Sequence, residues 1–470
     1  MKFTKIAMAA VFALASSSAY AFHSGGVAEC EGCHTMHNSH TVEGATVSSA
    51  MTLNGTPIGT TNPFLLQGAD QSSTCLNCHA HTPAGSYHIL SVSNQGQLNN
   101  IQAANANFTP GGDFMWLNNE FSYTGYEGPA TQAGQRAGHN VVAKDFGIVP
   151  DTRPIPPGSN GGALIGWNGA GFACVSCHDP HGRYRYTSST AGTFTTQGPA
   201  ISGSGSYADS RGTVVASFLA KISASSTLGA YRILGGVGYV PKSGVGPVFQ
   251  NSPPIALAPG TYNSTETISG TAGQFNNQVQ VAYGSGMSEW CMNCHPQMHS
   301  NTVEGATVTG LTIHPAGNGA HLSATIAANY NGYVSTGNFT TATDNYDSLV
   351  PFEVGSMDLD TVKTFANVVT VPSGGTTNGT STYKANAAGT GSNVMCLSCH
   401  RAHASAFNSM TRWFNDGEFI TSSAGWATAK GPSTGGAMSA ATTQIGYYMR
   451  PSASYGSYQR SLCNKCHSKD

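Results

Sequence analysis

Hydrophobic and polar positions along this chain fall into almost no sustained pattern. One apolar run, Ile6 to Ala15, follows Lys2 and Lys5 and precedes Ala19-Tyr20-Ala21. A basic start, a short apolar stretch and a small-x-small ending predict a secretory signal peptide over residues 1–21, removed to leave a single unit over 22–470. The run is too short to span a bilayer, and no later segment reaches the roughly 18–20 apolar residues that a span needs. Beyond it neither a 3.6-residue nor a two-residue period persists, and segments such as 367–395 read as loop. The expected fold is mostly irregular coil with little sheet.

Short helices are expected where the cysteines lie. All twelve cysteines fall in six C-x-x-C-H units: Cys30/Cys33/His34, Cys75/Cys78/His79, Cys174/Cys177/His178, Cys291/Cys294/His295, Cys396/Cys399/His400 and Cys463/Cys466/His467. A disulfide framework gives no reason for a histidine after every second cysteine, and neither does a zinc ribbon. Haem attachment accounts for all three positions together. Residues i, i+3 and i+4 share one helical face, so both thioether sulfurs and the histidine can meet one porphyrin. Six haem c groups are therefore expected, with His34, His79, His178, His295, His400 and His467 as the proximal iron ligands. Ser461 and Ser288 are expected N-caps for the helices of motifs 6 and 4.

Six porphyrins change the expectation for the core. They supply apolar surface that a low-periodicity chain lacks, so the predicted architecture is a haem-packed multihaem cytochrome. The sequence TVEGATV recurs at 41–47 and 302–308 but extends into no regular period, so a solenoid is not indicated.

Charge then narrows the partners. Charged residues make up 9% of the chain, against roughly 25% in ordinary soluble proteins. The formal net charge is −2, and removal of Lys2 and Lys5 makes it more negative. Each ferric haem with two propionates adds a further negative charge. Nucleic acid is not an expected partner, since it needs a basic face.

Histidine is abundant: 17 in all, of which six are proximal. His37, His181 and His403 follow their motif histidine by three residues, and His299 by four. A side chain so near a haem's own ligand cannot easily wrap to that haem's far face, but it can reach the iron of an adjacent one. With His88, His139 and His314 these make seven distal candidates for six places. His81 ranks below them; His23, His40 and His321 are expected bystanders. Two histidines on every iron leave no open coordination position, which favours electron transfer over catalysis. A multihaem oxyanion reductase with one open haem, and a periplasmic shuttle that does not polymerise, remain the alternatives.

Long runs of the chain resemble the OmcS-type hexahaem cytochromes of metal-reducing bacteria: FHSGGVAECEGCHTMHNS, SSTCLNCH, TPGGDF, SCHDPHG, GAYRILGG, MSEWCMNCH, HPAGNGA, CLSCHRAHAS, SMTRW and YQRSLCNKCH. The connecting loops depart from that pattern, so a close sibling is implied. The resemblance implies a mostly looped fold, bis-histidine haems and a secreted protein at the outer surface, polymerised head to tail with itself. It implies electron flow to external acceptors and exchange with other redox cytochromes. It further implies that His37 ligates the haem on Cys396 and Cys399 of the neighbouring subunit.

Overall fold

The structure, a computed structural model, describes residues 30–34, 65–80, 89–91, 111–117, 137–148, 169–180, 234–251, 282–296, 320–326, 392–427 and 438–448, with shorter stretches between and beyond them. Regular structure among the described residues is sparse. The helices are α1 (Cys30–Cys33), α2 (Gln71–His79), α3 (Met287–Cys291), α4 (Cys396–Cys399) and α5 (Ala440–Gly446). Motif 3 forms a 3-10 turn, Cys174–Ser176. Further 3-10 turns cover Phe114–Trp116, Lys144–Phe146, Gly169–Gly171 and Asn408–Met410. The described residues also form six two-stranded antiparallel ladders, the longest pairing Phe121–Gly125 with Gly128–Gln132. No described helix is long and apolar enough to cross a membrane.

Isolated bridges and side-chain hydrogen bonds hold this coil together. The segment around His403 lies between two others: it bridges Gly112 through Ala404 on one side and Gly138 on the other. His403 N–H donates to Gly111 O (2.7 Å), His139 N–H to His403 O (2.8 Å) and Ser405 N–H to Ala137 O (2.8 Å). A second brace joins Tyr283, Glu353, Asn393 and His321 in that order. Each brace satisfies buried backbone groups that irregular structure would otherwise orphan.

Motifs 2 and 3 form a unit that motifs 4 and 5 repeat. In the first, the Ser72 hydroxyl on α2 accepts from the backbone N–H of Cys174 at 3.1 Å. In the second, the Ser288 hydroxyl on α3 accepts from Cys396 N–H at 3.0 Å. Within the receiving motifs, Ser176 Oγ accepts from Ala173 N–H and Ser398 Oγ from Met395 N–H, both at 3.0 Å. The sequence carries the same signal as S-x-x-C-x-N-C-H at 72–79 and 288–295, and C-x-S-C-H-x-x-H at 174–181 and 396–403.

Ser288 thus departs from its expected role as N-cap. The cap of α3 is Gly286, at φ +117°, and Ser288 lies inside the helix, its hydroxyl turned to the neighbouring motif. Ser461 lies outside the described residues. Ser288 has no exposed surface, so Ser288→Ala strands the Cys396 N–H. The expected cost is about 1–3 kcal/mol, read as a lower urea midpoint with an unchanged m-value.

The apolar core lies against these motifs. Tyr239, fully buried, donates its hydroxyl to Val175 O (2.8 Å) and His178 O (2.7 Å). Phe249 meets Tyr239 and Trp290 edge-on, with centroids 5.4 and 5.8 Å apart. One loop, 234–250, therefore wraps motif 3 and the helix of motif 4 together. On the far side Trp426 stacks flat on Tyr447 at 4.2 Å.

Candidate haem-binding site

The cysteines of motifs 2 to 5 converge. The Cys75 sulfur lies against that of Cys174, and the Cys291 sulfur against that of Cys396, closely enough for each pair to interact. Cys177 faces Cys294 closely enough for their charges to interact. Motifs 2, 3, 4 and 5 thus form a continuous line. All the described cysteines in these motifs and Cys33 are free of disulfides.

Their electrostatics select the sulfur chemistry. Burial, with Cys294 and Cys174 adding to it, pushes the Cys177 thiol far above the ordinary range. Burial alone pushes Cys294 up to about 12. At Cys177 and Cys294 such surroundings penalise a thiolate, the form that binds zinc, and accept a neutral thioether. At Cys174 the neighbouring Cys75 and Ser72 act the other way and lower the thiol. Among the described residues no group of three or more histidine, cysteine or acidic side chains could hold a metal ion by itself. The donor set fits a porphyrin bound through neutral sulfur, with iron held by imidazole.

The histidines supply the matching geometry. The rings of His178 and His403 have centroids 6.3 Å apart, and those of His139 and His295 6.1 Å apart. Two imidazoles sharing one first-row metal ion, each with a bond of about 2 Å, stand roughly 6 Å apart centre to centre. A motif histidine and a distal candidate make up each pair. His403 belongs to the chain following motif 5 but faces the histidine of motif 3. Burial, with His178 and His79 nearby, pushes the His403 imidazole down to about 3, so the ring is neutral and its lone pair is available at neutral pH.

Backbone carbonyls orient the rings. His139 Nδ1–H donates to Ala402 O (2.6 Å), leaving Nε2 for iron. His400 Nδ1–H donates in the same way to Ser409 O (2.7 Å), and burial lowers its affinity for a second proton. Such second partners fix tautomer and ring direction at metal sites. Phe114 stacks on His403 at 5.0 Å, and its segment is held by Asp113, which accepts from Met115 N–H and from Ser91 N–H and hydroxyl.

Gly111 and Gly112 let that segment approach. A Cβ on Gly111 would stand 2.9 Å from His403 Nδ1, and one on Gly112, at φ +92°, would collide with the Ala404 carbonyl. Gly112→Ala combines left-handed strain, about 1–2 kcal/mol, with this clash. The expected result is a displaced His403, seen as a high-spin fraction in the visible spectrum and a lower thermal midpoint.

His34 and His79 also lie among the described residues, in their motifs. His321 is exposed, at its bridge to Asn393. His37, His88, His181, His299 and His314 lie outside the described residues, as do Cys463, Cys466, His467, His23, His40, His81 and residues 1–21. Sequence reasoning missed Ser72 and gave Ser288 a different role; the repeated S-x-x-C pattern could have signalled that both join neighbouring motifs.

No family model matches the chain. A curated relative, the C-type cytochrome OmcS of Geobacter sulfurreducens, is 43% identical over 481 aligned positions, covering 100% of this chain and 99% of OmcS. Two solved structures are similar in fold. The outer membrane cytochrome S filament of that organism has a TM-score of 0.68 at 41% identity, and the OmcS nanowires studied by electron cryo-microscopy 0.67 at 39%. Each match covers 96% of this chain and 100% of the other. With its whole length matched and its cysteines and histidines set for covalent haem c, the chain belongs to the OmcS family of c-type cytochromes.

Proposed function

We propose that this protein is an extracellular electron conduit with six bis-histidine haems, and that it polymerises with itself. The observation that carries the reading is the pair of facing imidazole couples, His178 with His403 and His139 with His295. Haem c supplies reversible one-electron chemistry, at lower potential with two histidines than with methionine and histidine. The chain's own residues fix where that chemistry happens. Cys30, Cys33, Cys75, Cys78, Cys174, Cys177, Cys291, Cys294, Cys396, Cys399, Cys463 and Cys466 tether the porphyrins. His34, His79, His178, His295, His400 and His467 hold one iron face each. His403 closes the other face at motif 3 and His139 at motif 4. The remaining four places fall to His37, His88, His181, His299 and His314, one of which is surplus.

A filled coordination sphere excludes substrate from the iron, so the protein passes electrons without transforming a substrate. The assembly follows from the family likeness: the relatives whose structures match are filaments. In this reading residues 22–470 act as one unit, and His37 ligates the motif 5 haem of the next subunit. A contact of that kind, which does not close on itself, builds an open fibre. Electrons are exchanged with other redox cytochromes and with acceptors outside the cell.

Mass spectrometry of the secreted protein, its carbon monoxide uptake when reduced, and electron cryo-microscopy together test this. The expected result is six haems, negligible uptake and filaments with a continuous haem row. Uptake near one per chain overturns the bis-histidine reading in favour of a reductase, and discrete particles overturn the polymer in favour of a shuttle.

A further inference from the structure

We infer that Glu353 is a proton-binding site coupled to electron arrival at the haems of motifs 4 and 5, taking up one proton from solvent as that pair is reduced. The inference rests on the haem-bearing reading of these two motifs.

Glu353 has no exposed surface. Its backbone is fixed on both sides, bridging Tyr283 and Asn393 and exchanging two 3.0 Å hydrogen bonds with Asn393. Its side chain enters the junction of α3 and α4, where Oε1 accepts from Met287 N–H (2.7 Å) and Gly286 N–H (3.2 Å). The other oxygen, Oε2, is buried with no hydrogen-bond partner. A carboxylate left half-satisfied away from water is costly, and a proton on Oε2 removes that cost.

Among the described residues, the titratable groups on the surrounding elements are Glu289 and Cys291 on α3, Cys396 on α4, Tyr283 on the adjoining strand and the exposed His321 beyond Asn393. Burial first, then the charge of Glu289, push the Glu353 carboxyl up to about 8, against the pull of the two backbone N–H groups. As a thioether Cys396 carries no charge, which leaves burial and Glu289 as the main causes. Glu289 is half-buried and one of its oxygens accepts from Asn318 N–H (2.7 Å) at an exposed position.

The repeated motif unit supplies the contrast. At the start of α2 the corresponding carboxylate is Asp70, from the helix's own sequence. It is half-buried, with one oxygen accepting from Ser73 N–H (2.7 Å) and the other from Lys144 N–H (2.7 Å). At α3 that place holds glycine, and Glu353 arrives from a distant segment, buried and half-satisfied. The carboxyl at the junction of the second unit is thus fully buried as well as half-satisfied, and poised to change its proton occupancy.

The coupling is electrostatic and balances simply. An electron from a neighbouring ferrous haem, or from an electrode, converts one ferric iron of the pair to ferrous. The added negative charge raises the proton affinity of Glu353, and a solvent proton converts its carboxylate to the carboxylic acid. Oxidation reverses both changes. No covalent bond other than O–H forms or breaks.

The test is proton uptake on reduction of the holoprotein, followed with an indicator dye in weakly buffered solution from pH 6 to 10, beside redox titrations over the same range. Glu353→Gln, nearly isosteric, is expected to lose up to one proton per chain near and above pH 8 and to flatten the pH dependence of one or two haem potentials. Glu289→Gln is expected to keep the uptake but shift it to lower pH. In the unaltered protein, reduced-minus-oxidised infrared spectra should gain a carboxylic acid band shielded from water. Equal uptake by wild type and Glu353→Gln, or no such band where that variant does not fold, overturns the inference. Absence of haem from motifs 4 and 5, read by mass spectrometry of peptides, fails the underlying reading instead.

Discussion

Reduced His403→Ala protein is expected to take up about one carbon monoxide per chain, where the unaltered protein takes up almost none. In the proposed ligand set His403 is the sixth ligand at motif 3, facing His178 at 6.3 Å. Alanine removes the donor and leaves a pocket lined by Phe114, which cannot ligate. The covalent tether is untouched, so the haem count stays constant while one haem in the chain becomes five-coordinate. Added imidazole should restore the low-spin spectrum. A low-spin, carbon monoxide-inert His403→Ala protein would mean that another side chain closes this iron, and the pairing would be wrong.

The second large effect is expected at Arg401. The two motif units carry opposite residues directly after the proximal histidine: Asp179 in one and Arg401 in the other, each 1% exposed. Arg401 is held with its guanidinium Cζ 3.7 Å above the Tyr448 ring. Arg412, also buried, donates Nε–H to Leu397 O at 2.6 Å within the same motif. Guanidinium keeps its charge, and a fixed positive charge favours the more negative, reduced haem. The motif 5 haem should therefore have a higher potential than the motif 3 haem. For scale, a unit charge at a separation on the order of 8 Å and an effective dielectric near 20 is worth about 2 kcal/mol, or about 90 mV for one electron. Arg401→Gln should lower one of the haem potentials by that order. It should also remove a cation–π contact worth about 2 kcal/mol when desolvated. An unchanged set of potentials, measured by spectroelectrochemistry, would contradict the assignment.

How much of this was legible in the sequence follows from the range of each interaction. Cys75, Cys78 and His79 act within one helical turn, so their spacing alone reports their chemistry. Sparse periodicity likewise reports sparse regular structure, because both come from neighbours along the chain. Ser288 was misread for the same reason. A serine just ahead of a helical motif is a good local cap, but here its hydroxyl serves Cys396, a partner no local pattern names. The facing of His403 and His178 depends on a brace built by Gly112, Gly138 and Ala404, three segments far apart in sequence. Sequence reasoning could say that His403 reaches another haem, not which one. Glu353 carried no signal at all, since its burial is imposed by Tyr283 and Asn393.

The reach from His403 back to His178 also sets an order on the making of the protein. A chain that crosses a membrane amino-terminus first delivers motif 3 well before residue 403 emerges. In the proposed ligand set the motif 3 haem, once attached, waits with one coordination face open until the segment following motif 5 arrives and is clamped between residues 111–112 and 137–139. Closing so long a loop is slow compared with forming a local turn. Maturation therefore includes an interval in which the nascent cytochrome carries a ligand-accessible iron that the finished one lacks, and truncation between motifs 4 and 5 would make that interval permanent.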